Sequence, residues 1–175
     1  MTQPHETPAH LREAITNAAR LQEIFDLDLA SAKPDPVLES MLEDAATRLD
    51  LPIALVSIVL DGIQYFAAMR GVEGWMAETR GTPIEWSFCT NVVVDQKPFL
   101  VRDAQQDPRV SENPLVWQEN IRSYAGVPLR TSKGEVVGSF CVIGSETREF
   151  TQDDVSTLEV LAAQAMVAIE QRRSA

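Results

Sequence analysis

Two pairs of apolar, β-branched runs, each pair joined by a short turn, constrain this chain more than any other feature. The first pair is "IALVSIVLD" at 53–61 and "IQYFAAMRG" after the turn at Asp61-Gly62. The second is "IRSYAGVPLRT" at 121–131 and "EVVGSFCVIG" at 135–144, joined around Ser132-Lys133-Gly134. Runs rich in Val, Ile, Phe and Tyr bounded by turn residues read as strands. A short turn can connect only antiparallel neighbours, because a parallel partner needs a long crossover. The sheet of this protein is therefore antiparallel wherever these runs pair.

Helical patterns surround the hairpins. Residues 1–9 carry two prolines and no periodicity and are expected to form a flexible tail. From 10 to 32 the chain reads as an N-terminal helix, with Leu11, Ile15, Ala18, Ala19, Gln22 and Phe25 along one face. Pro34 and Pro36 end it. A second helix starts with Asp35 as N-cap and Pro36 as its first residue, and buries Val37, Leu38, Met41, Leu42, Ala45 and Leu49. "VEGWMAETRGTP" at 72–83 reads as a Gly-containing connection. "SFCTNVVVD" at 87–95 reads as a short helix and "KPFLVRDA" at 97–104 as a strand. The stretch 105–120 holds two turn signals, Asp107-Pro108 and Asn113-Pro114, with a short helix near 114–119. Loops this long in compact domains tend to be functional. Thr151 and Asp154 form a capping box before a final helix whose stripe is Leu158, Leu161, Ala162, Ala165, Met166 and Ile169. The order is helix, helix, hairpin, helix, strand, long loop, hairpin, helix. That is an α+β domain whose helices cover an antiparallel sheet.

Composition removes several classes of function. The chain has 175 residues, enough for one domain with a real core. Its 15 Lys and Arg are scattered among 26 Asp and Glu, for a net charge of −11, so nucleic acids and anionic membranes are unsuitable partners. The longest apolar run, at 51–60, falls well short of the ~20 residues that span a bilayer. The N-terminus has neither a basic start nor an apolar signal core, and two cysteines are too few for a secreted disulfide framework. A cytoplasmic protein with reduced thiols is the expectation.

The chemistry is bounded in the same way. Both histidines, His5 and His10, lie near the N-terminus, so residues 11–175 offer no imidazole to activate a Ser or Cys nucleophile or to ligate a metal. Neither GxGxxG nor GxxxxGK[ST] occurs. No metal or cofactor is expected. The acidic pairs Glu43-Asp44 and Asp153-Asp154 are adjacent on helices, point apart, and read as solvated faces.

The segments "SFCTNVVVDQKPFLVRDAQQDPRVSENPLV" and "IRSYAGVPLRTSKGEVVGSFCVIGSETREFTQDDVSTLEVLA" resemble a bacterial GAF domain, with a likeness running from about residue 33 to 172. The resemblance divides the chain into the tail 1–9, the N-terminal helix 10–32 and a GAF-like domain 33–175. It implies a GAF/PAS-like central antiparallel sheet of about six strands, terminal helices packed on one face, and a small-molecule pocket on the other under residues 83–94 and 103–120. It further implies a sensory, ligand-binding, regulatory role in signal transduction. Family members are usually attached to kinases, cyclases or transcription factors. Here no output domain follows Ala175, so the expectation is a stand-alone, non-catalytic module acting on a separate partner. Subtype signatures narrow the ligand. Cyclic-nucleotide-binding members carry an Asn-Lys pair, which this chain lacks. Bilin-binding members follow the cysteine with histidine, whereas Thr90 follows Cys89 here. Free methionine-sulfoxide reductases of this fold use a cluster of cysteines, and this chain has two.

Candidate ligand-binding residues are Trp86, Phe88, Cys89, Asp103, Trp117, Arg122 and Tyr124. Each has a structural reading beside the functional one. The aromatics can be pocket wall or core. Asp103 can orient a ligand or cap a turn. Arg122, like Arg109, can meet an anion or lie exposed. Cys89 lies at a helix N-terminus, where the backbone dipole favours thiolate, yet its apolar neighbours favour a buried thiol. Its catalytic reading is a thiol-based redox sensor or a methionine-sulfoxide-reductase-like enzyme. Cys141 reads as buried in a strand. A Cys89–Cys141 disulfide requires Cα atoms within ~7 Å. The terminal helices, 10–28 and 153–172, are the expected contacts of a homodimer.

Overall fold

The computed structural model describes residues 8–31 and 33–173. The tail expected at 1–9 therefore falls largely outside the described residues, and at its inner end Ala9 already opens a helix.

Among the described residues six strands form one antiparallel sheet in the order β3-β2-β1-β6-β5-β4. They are β1 Ile53–Val59, β2 Ile63–Arg70, β3 Gly81–Pro83, β4 Phe99–Val101, β5 Ser123–Arg130 and β6 Val136–Gly144. Both hairpins pair as expected, and β1 and β6 join them at the centre of the sheet. β3 has no counterpart in the patterning, because three residues ending in Pro83 carry no strand period. Pairing with β2 makes it a strand. Gly81 lies opposite Tyr65, and a Cβ there would meet the Gln64 carbonyl oxygen at 2.3 Å.

The helices are α1 Ala9–Ile15, α2 Ala18–Asp26, α3 Pro36–Leu49, α4 Gly74–Thr79, α5 Cys89–Asp95, α6 Pro114–Gln118 and α7 Gln152–Arg173. Capping chemistry sets several of their ends. Asp35 accepts from the amides of Val37 and Leu38 at 3.1 and 3.2 Å. Thr151 and Asp154 bond reciprocally, at 2.9 and 3.1 Å, as a capping box does. The connection expected at 72–83 contains α4 as well as β3.

The single helix expected over 10–32 is two helices, broken at Thr16-Asn17, where Asn17 caps α2 by accepting from the Arg20 amide. The physical reason lies in where each half packs. Ile15 joins the core on one side of the sheet, with Phe88 and Cys89, while Ile24 joins the core on the other side, with Leu38 and Leu158. A straight helix cannot serve both sides. The expected apolar face fails with it: Phe25 is 80% exposed, and the buried positions of α2 are Arg20, Glu23 and Ile24. Arg20 is the anchor at the crossing. It donates to the Val59 carbonyl at 2.6 Å and to that of Ile15, at the C-terminal end of α1, at 2.5 Å. Burial lowers its pKa to about 10, against the raising influence of Glu135 and Asp61.

The two faces of the sheet carry two cores. α2, α3 and α7 cover one, over Ala54, Val56, Ile58, Val127, Phe140 and Val142. Leu42 and Leu158 are fully buried there, and truncating either to Ala would cost about 2–5 kcal/mol. The other face carries Leu55, Phe66, Tyr124, Cys141 and Ile143 under α1, α4, α5 and α6. The alternation Leu55/Val56, Tyr124/Ala125 and Cys141/Val142 divides each strand between the faces, as a period of two requires.

Candidate functional site

On this second face a cavity of about 210 Å³ opens between the sheet and its cover. Its floor is Ile53, Leu55, Gln64, Phe66 and Ile143, and its cover is Val72, Glu73 and Met76 on one side with Leu115, Glu119 and Ile121 on the other. One hydrogen bond joins the two sides of the cover: Trp75 Nε1 donates to Glu119 Oε1 at 2.7 Å. Trp75 also meets Trp86 edge-on at 5.8 Å, which ties α4 to the turn before α5. Gln64 is held rigid in the floor. Its amide nitrogen donates to Thr82 Oγ1 at 3.1 Å and its oxygen accepts from Ser87 Oγ at 2.7 Å. The lining is mostly aliphatic and aromatic, with three polar side chains, two of them carboxylates. Such a space suits a small neutral or cationic organic molecule better than a phosphate-bearing one.

Beside the cavity, under α5, lies a buried polar cluster. Ser57 and Ser139 face each other across β1 and β6, and Gly126 faces Cys141 across β5 and β6. These four small residues let α5 approach the sheet closely. Cys89, the first residue of α5, sits on them with its sulfur 3.9 Å from that of Cys141. Tyr124 Oη donates to Cys89 Sγ at 3.1 Å and lies 3.1 Å from Ser139 Oγ. Since Tyr124 has one hydroxyl proton, Ser139 donates to Tyr124. Gly126 makes this contact possible, because a Cβ there would lie 2.2 Å from Tyr124 Oη and 2.5 Å from Ser139 Oγ. Burial pushes the Cys89 thiol up, but the Cys141 thiol and the Tyr124 hydroxyl, which both bond its sulfur, together with the nearby Ser57 and Ser139 hydroxyls, lower it further, to about 7. Ser57 Oγ is buried beside them and has no hydrogen-bond partner among the described residues. Burial, and then the nearby Cys89 charge, push Cys141 and Tyr124 well above their ordinary values. Cys89 is thus the acidic member of the group.

The long loop is tied rather than loose. Asp103 forms a two-pronged pair with Arg122, Oδ1 to Nε at 2.9 Å and Oδ2 to NH2 at 3.0 Å, and also accepts from the Gln105 amide at 3.1 Å. The hydrogen bond from Arg122 holds the Asp103 carboxyl below its ordinary range; burial opposes this and the Gln105 amide adds to it. Arg109 grips Asp107 and lies 4.5 Å over the Phe99 ring. Asn113 caps α6 through the Leu115 amide and donates to the Trp86 carbonyl at 3.0 Å. Trp117 is 61% exposed and donates to the Ser111 carbonyl at 2.8 Å.

The structure therefore sorts the candidate residues into separate places. Phe88, Cys89 and Tyr124 come together, with the Phe88 and Tyr124 rings 5.3 Å apart. Asp103 and Arg122 come together at the base of the loop. Trp86 supports Trp75, and Trp117 stands apart on the surface of α6. None of the seven lines the 210 Å³ cavity. Of the cover expected at 83–94 and 103–120, α6 and Glu119 lie over this cavity and α5 lies over the thiol cluster, while α4 supplies the rest of the cavity's cover. Gln64, Glu73, Trp75, Met76 and Glu119 were not singled out from the sequence. The one available signal was that "EGWMAET" can form a helical turn after a glycine.

The GAF domain family model matches residues 33–169. Among curated proteins, a cyclic di-GMP phosphodiesterase of Pseudomonas aeruginosa is 37% identical over 175 residues, which is 99% of this chain and 28% of that protein's length. The chain thus spans less than a third of that relative. Among solved structures, the GAF domain of a phosphoenolpyruvate-protein phosphotransferase from Coxiella burnetii superimposes with a TM-score of 0.67 at 18% identity, covering 91% of this chain and 98% of that one. The GAF domain of an Acinetobacter phosphoenolpyruvate-protein phosphotransferase gives 0.65 at 16% identity, covering 91% and 97%. These two likenesses concern the fold.

Proposed function

Because the chain belongs to the GAF domain family, we propose that it is a non-catalytic sensory module of bacterial signal transduction, which binds a small molecule in the 210 Å³ cavity and reports to a separate partner. The observation that carries this reading is the cavity itself: a preformed, largely apolar space with a few fixed polar groups, whose cover is tied by the Trp75–Glu119 bond. Its volume is small beside the ~300–1,000 Å³ of most ligand pockets, which favours a compact metabolite. Glu73 and Glu119 favour a neutral or cationic one. The similarity to a cyclic di-GMP phosphodiesterase supports a partner in second-messenger signalling, as a kinase, cyclase or transcription factor also would be.

A ligand shifts an equilibrium only if it binds two states with different affinity. In this scheme the two states differ in whether the Trp75–Glu119 bond, made in the structure, is kept or broken. The sheet supplies a route outward, because Ile143 lines the cavity while Val142, its neighbour on β6, packs in the core beneath α3 and α7. Exposed Val160 and Val167, seven residues apart on α7, together with Phe25 on α2, support a homodimer through these helices as the reader of that change. Hydrogen exchange with and without a bound small molecule tests the scheme. Slower exchange over 74–79, 103–120 and α7 is the expected result, and unchanged exchange in all three on ligand binding contradicts it.

A further inference from the structure

We propose that Cys89 and Cys141 form a peroxide-oxidisable dithiol, a covalent modification site distinct from the ligand cavity. The two sulfurs lie 3.9 Å apart on opposed elements, one on α5 and one on β6, and both are free thiols. A disulfide bond is about 2.0 Å long, so the sulfurs must close by about 1.9 Å. No third group separates them. The surroundings are matched to oxidation chemistry rather than to simple packing. An ordinary buried cysteine is a small hydrophobe, whereas Cys89 accepts the Tyr124 hydroxyl, which Ser139 in turn orients. Ser57 Oγ is a further buried polar atom, left without a hydrogen-bond partner on the same patch of sheet. Burying this many polar groups on one face costs stability unless they act together.

The pair also sits one layer behind two openings. Leu55 pairs with Cys141 on the neighbouring strand β1, Ile143 follows Cys141 on the same face of β6, and Leu55 and Ile143 line the 210 Å³ cavity. Ser87, Thr90 and Asn91, which flank Cys89, line a second cleft of about 230 Å³ between α1, α5 and the loop at 108–114. Both thiols are buried, so hydrogen peroxide, the smallest hydroperoxide, is the oxidant that suits them.

The step balances as follows. The Cys89 thiolate attacks the terminal oxygen of the hydroperoxide, the O–O bond breaks, and the alcohol (water, for hydrogen peroxide) leaves with one proton. Cys89 is then a sulfenic acid. The Cys141 sulfur attacks the Cys89 sulfur, the S–O bond breaks, and hydroxide leaves with the Cys141 proton as water. Two thiols lose two electrons and the hydroperoxide gains them. A dithiol reductant reverses the change. The product draws α5 toward β6 and weakens the sulfur that accepts from the Tyr124 hydroxyl, because a disulfide sulfur carries no charge. Since α1 packs on α5, the segment leading into the domain would register the oxidation.

The test is peptide mapping of the folded protein after stoichiometric hydrogen peroxide, without reductant. The expected result is a Cys89–Cys141 linked peptide within one chain, two hydrogens lighter, reversed by dithiothreitol, and formed faster as pH rises. In Cys141→Ser, oxidation should stop at a dimedone-trappable sulfenic acid on Cys89. Thiols that stay unmodified in the folded wild type while reacting in urea would overturn the proposal. So would a linkage found only between chains.

Discussion

Trp75 on α4 and Glu119, one residue beyond α6, are joined by a 2.7 Å hydrogen bond between the two sides of the cavity's cover. The indole is partly exposed, and its bond is the one direct polar link seen between the two halves of the cover among the described residues. Glu119→Ala should therefore loosen the cover without unfolding the domain. The expected outcome is faster amide exchange over 74–79 and 114–118 with less than about 1 kcal/mol lost from global stability. Glu119→Gln keeps an oxygen acceptor and should exchange nearly as the parent does.

Gly126 marks the point where the Tyr124 hydroxyl crosses β5. Gly126→Ala places a methyl group 2.2 Å from that oxygen, so either the ring or the strand must move. A loss on the order of 1–3 kcal/mol is expected from urea unfolding. Gly62→Ala is the control, since no atom lies within 4 Å of its added methyl group and its φ is not positive. It should change stability by less than about 0.5 kcal/mol.

The base of the long loop depends on an ionised Asp103. Arg122 depresses the folded-state pKa of that carboxyl. The sign follows directly: the contribution of the pair is complete above the unfolded value of about 3.9 and is lost as pH falls through the lower folded value. Exchange protection of Gln105–Asp107 should hold from neutral pH to about 4 and fall below it. In Asp103→Asn that acid-dependent loss should vanish, because the charge that titrates is gone.

Val160 and Val167 are 57% and 56% exposed on α7, and one heptad apart they fall on the same side of the helix. A homodimer seam there predicts that the double variant Val160→Glu and Val167→Glu sediments as a monomer where the parent sediments as a dimer. A parent that is monomeric at high concentration removes the seam from the account.

The hairpins were legible because alternation and turn residues are local, and so were the caps of α3 and α7, which lie within four residues of their targets. The break at Thr16-Asn17 was not. It exists because Ile15 and Ile24 are required on opposite sides of a sheet that the N-terminal residues do not themselves encode. β3 was missed for the same reason, since its strand character comes from β2. Among the candidate residues, Cys89 and Tyr124 meet at 3.1 Å although they are 35 positions apart. Their types hinted at chemistry, but their distance depended on Gly126, Ser57 and Ser139 leaving room for α5. The cavity was the least legible feature. Its lining, from Ile53 to Ile143, reads in sequence as ordinary core, and only the folded arrangement shows that the space is not filled.

The most direct test of the central reading fills that space. Met76, on α4, projects into the cavity, and Met76→Trp should occupy it at a cost of about 1–3 kcal/mol. Thermal unfolding of the parent and of this variant would be compared across a panel of small neutral and cationic metabolites. The account predicts at least one compound that raises the parent's melting temperature in a concentration-dependent way and leaves the variant unmoved. A compound that stabilises both proteins equally, or a panel that stabilises neither, would contradict it.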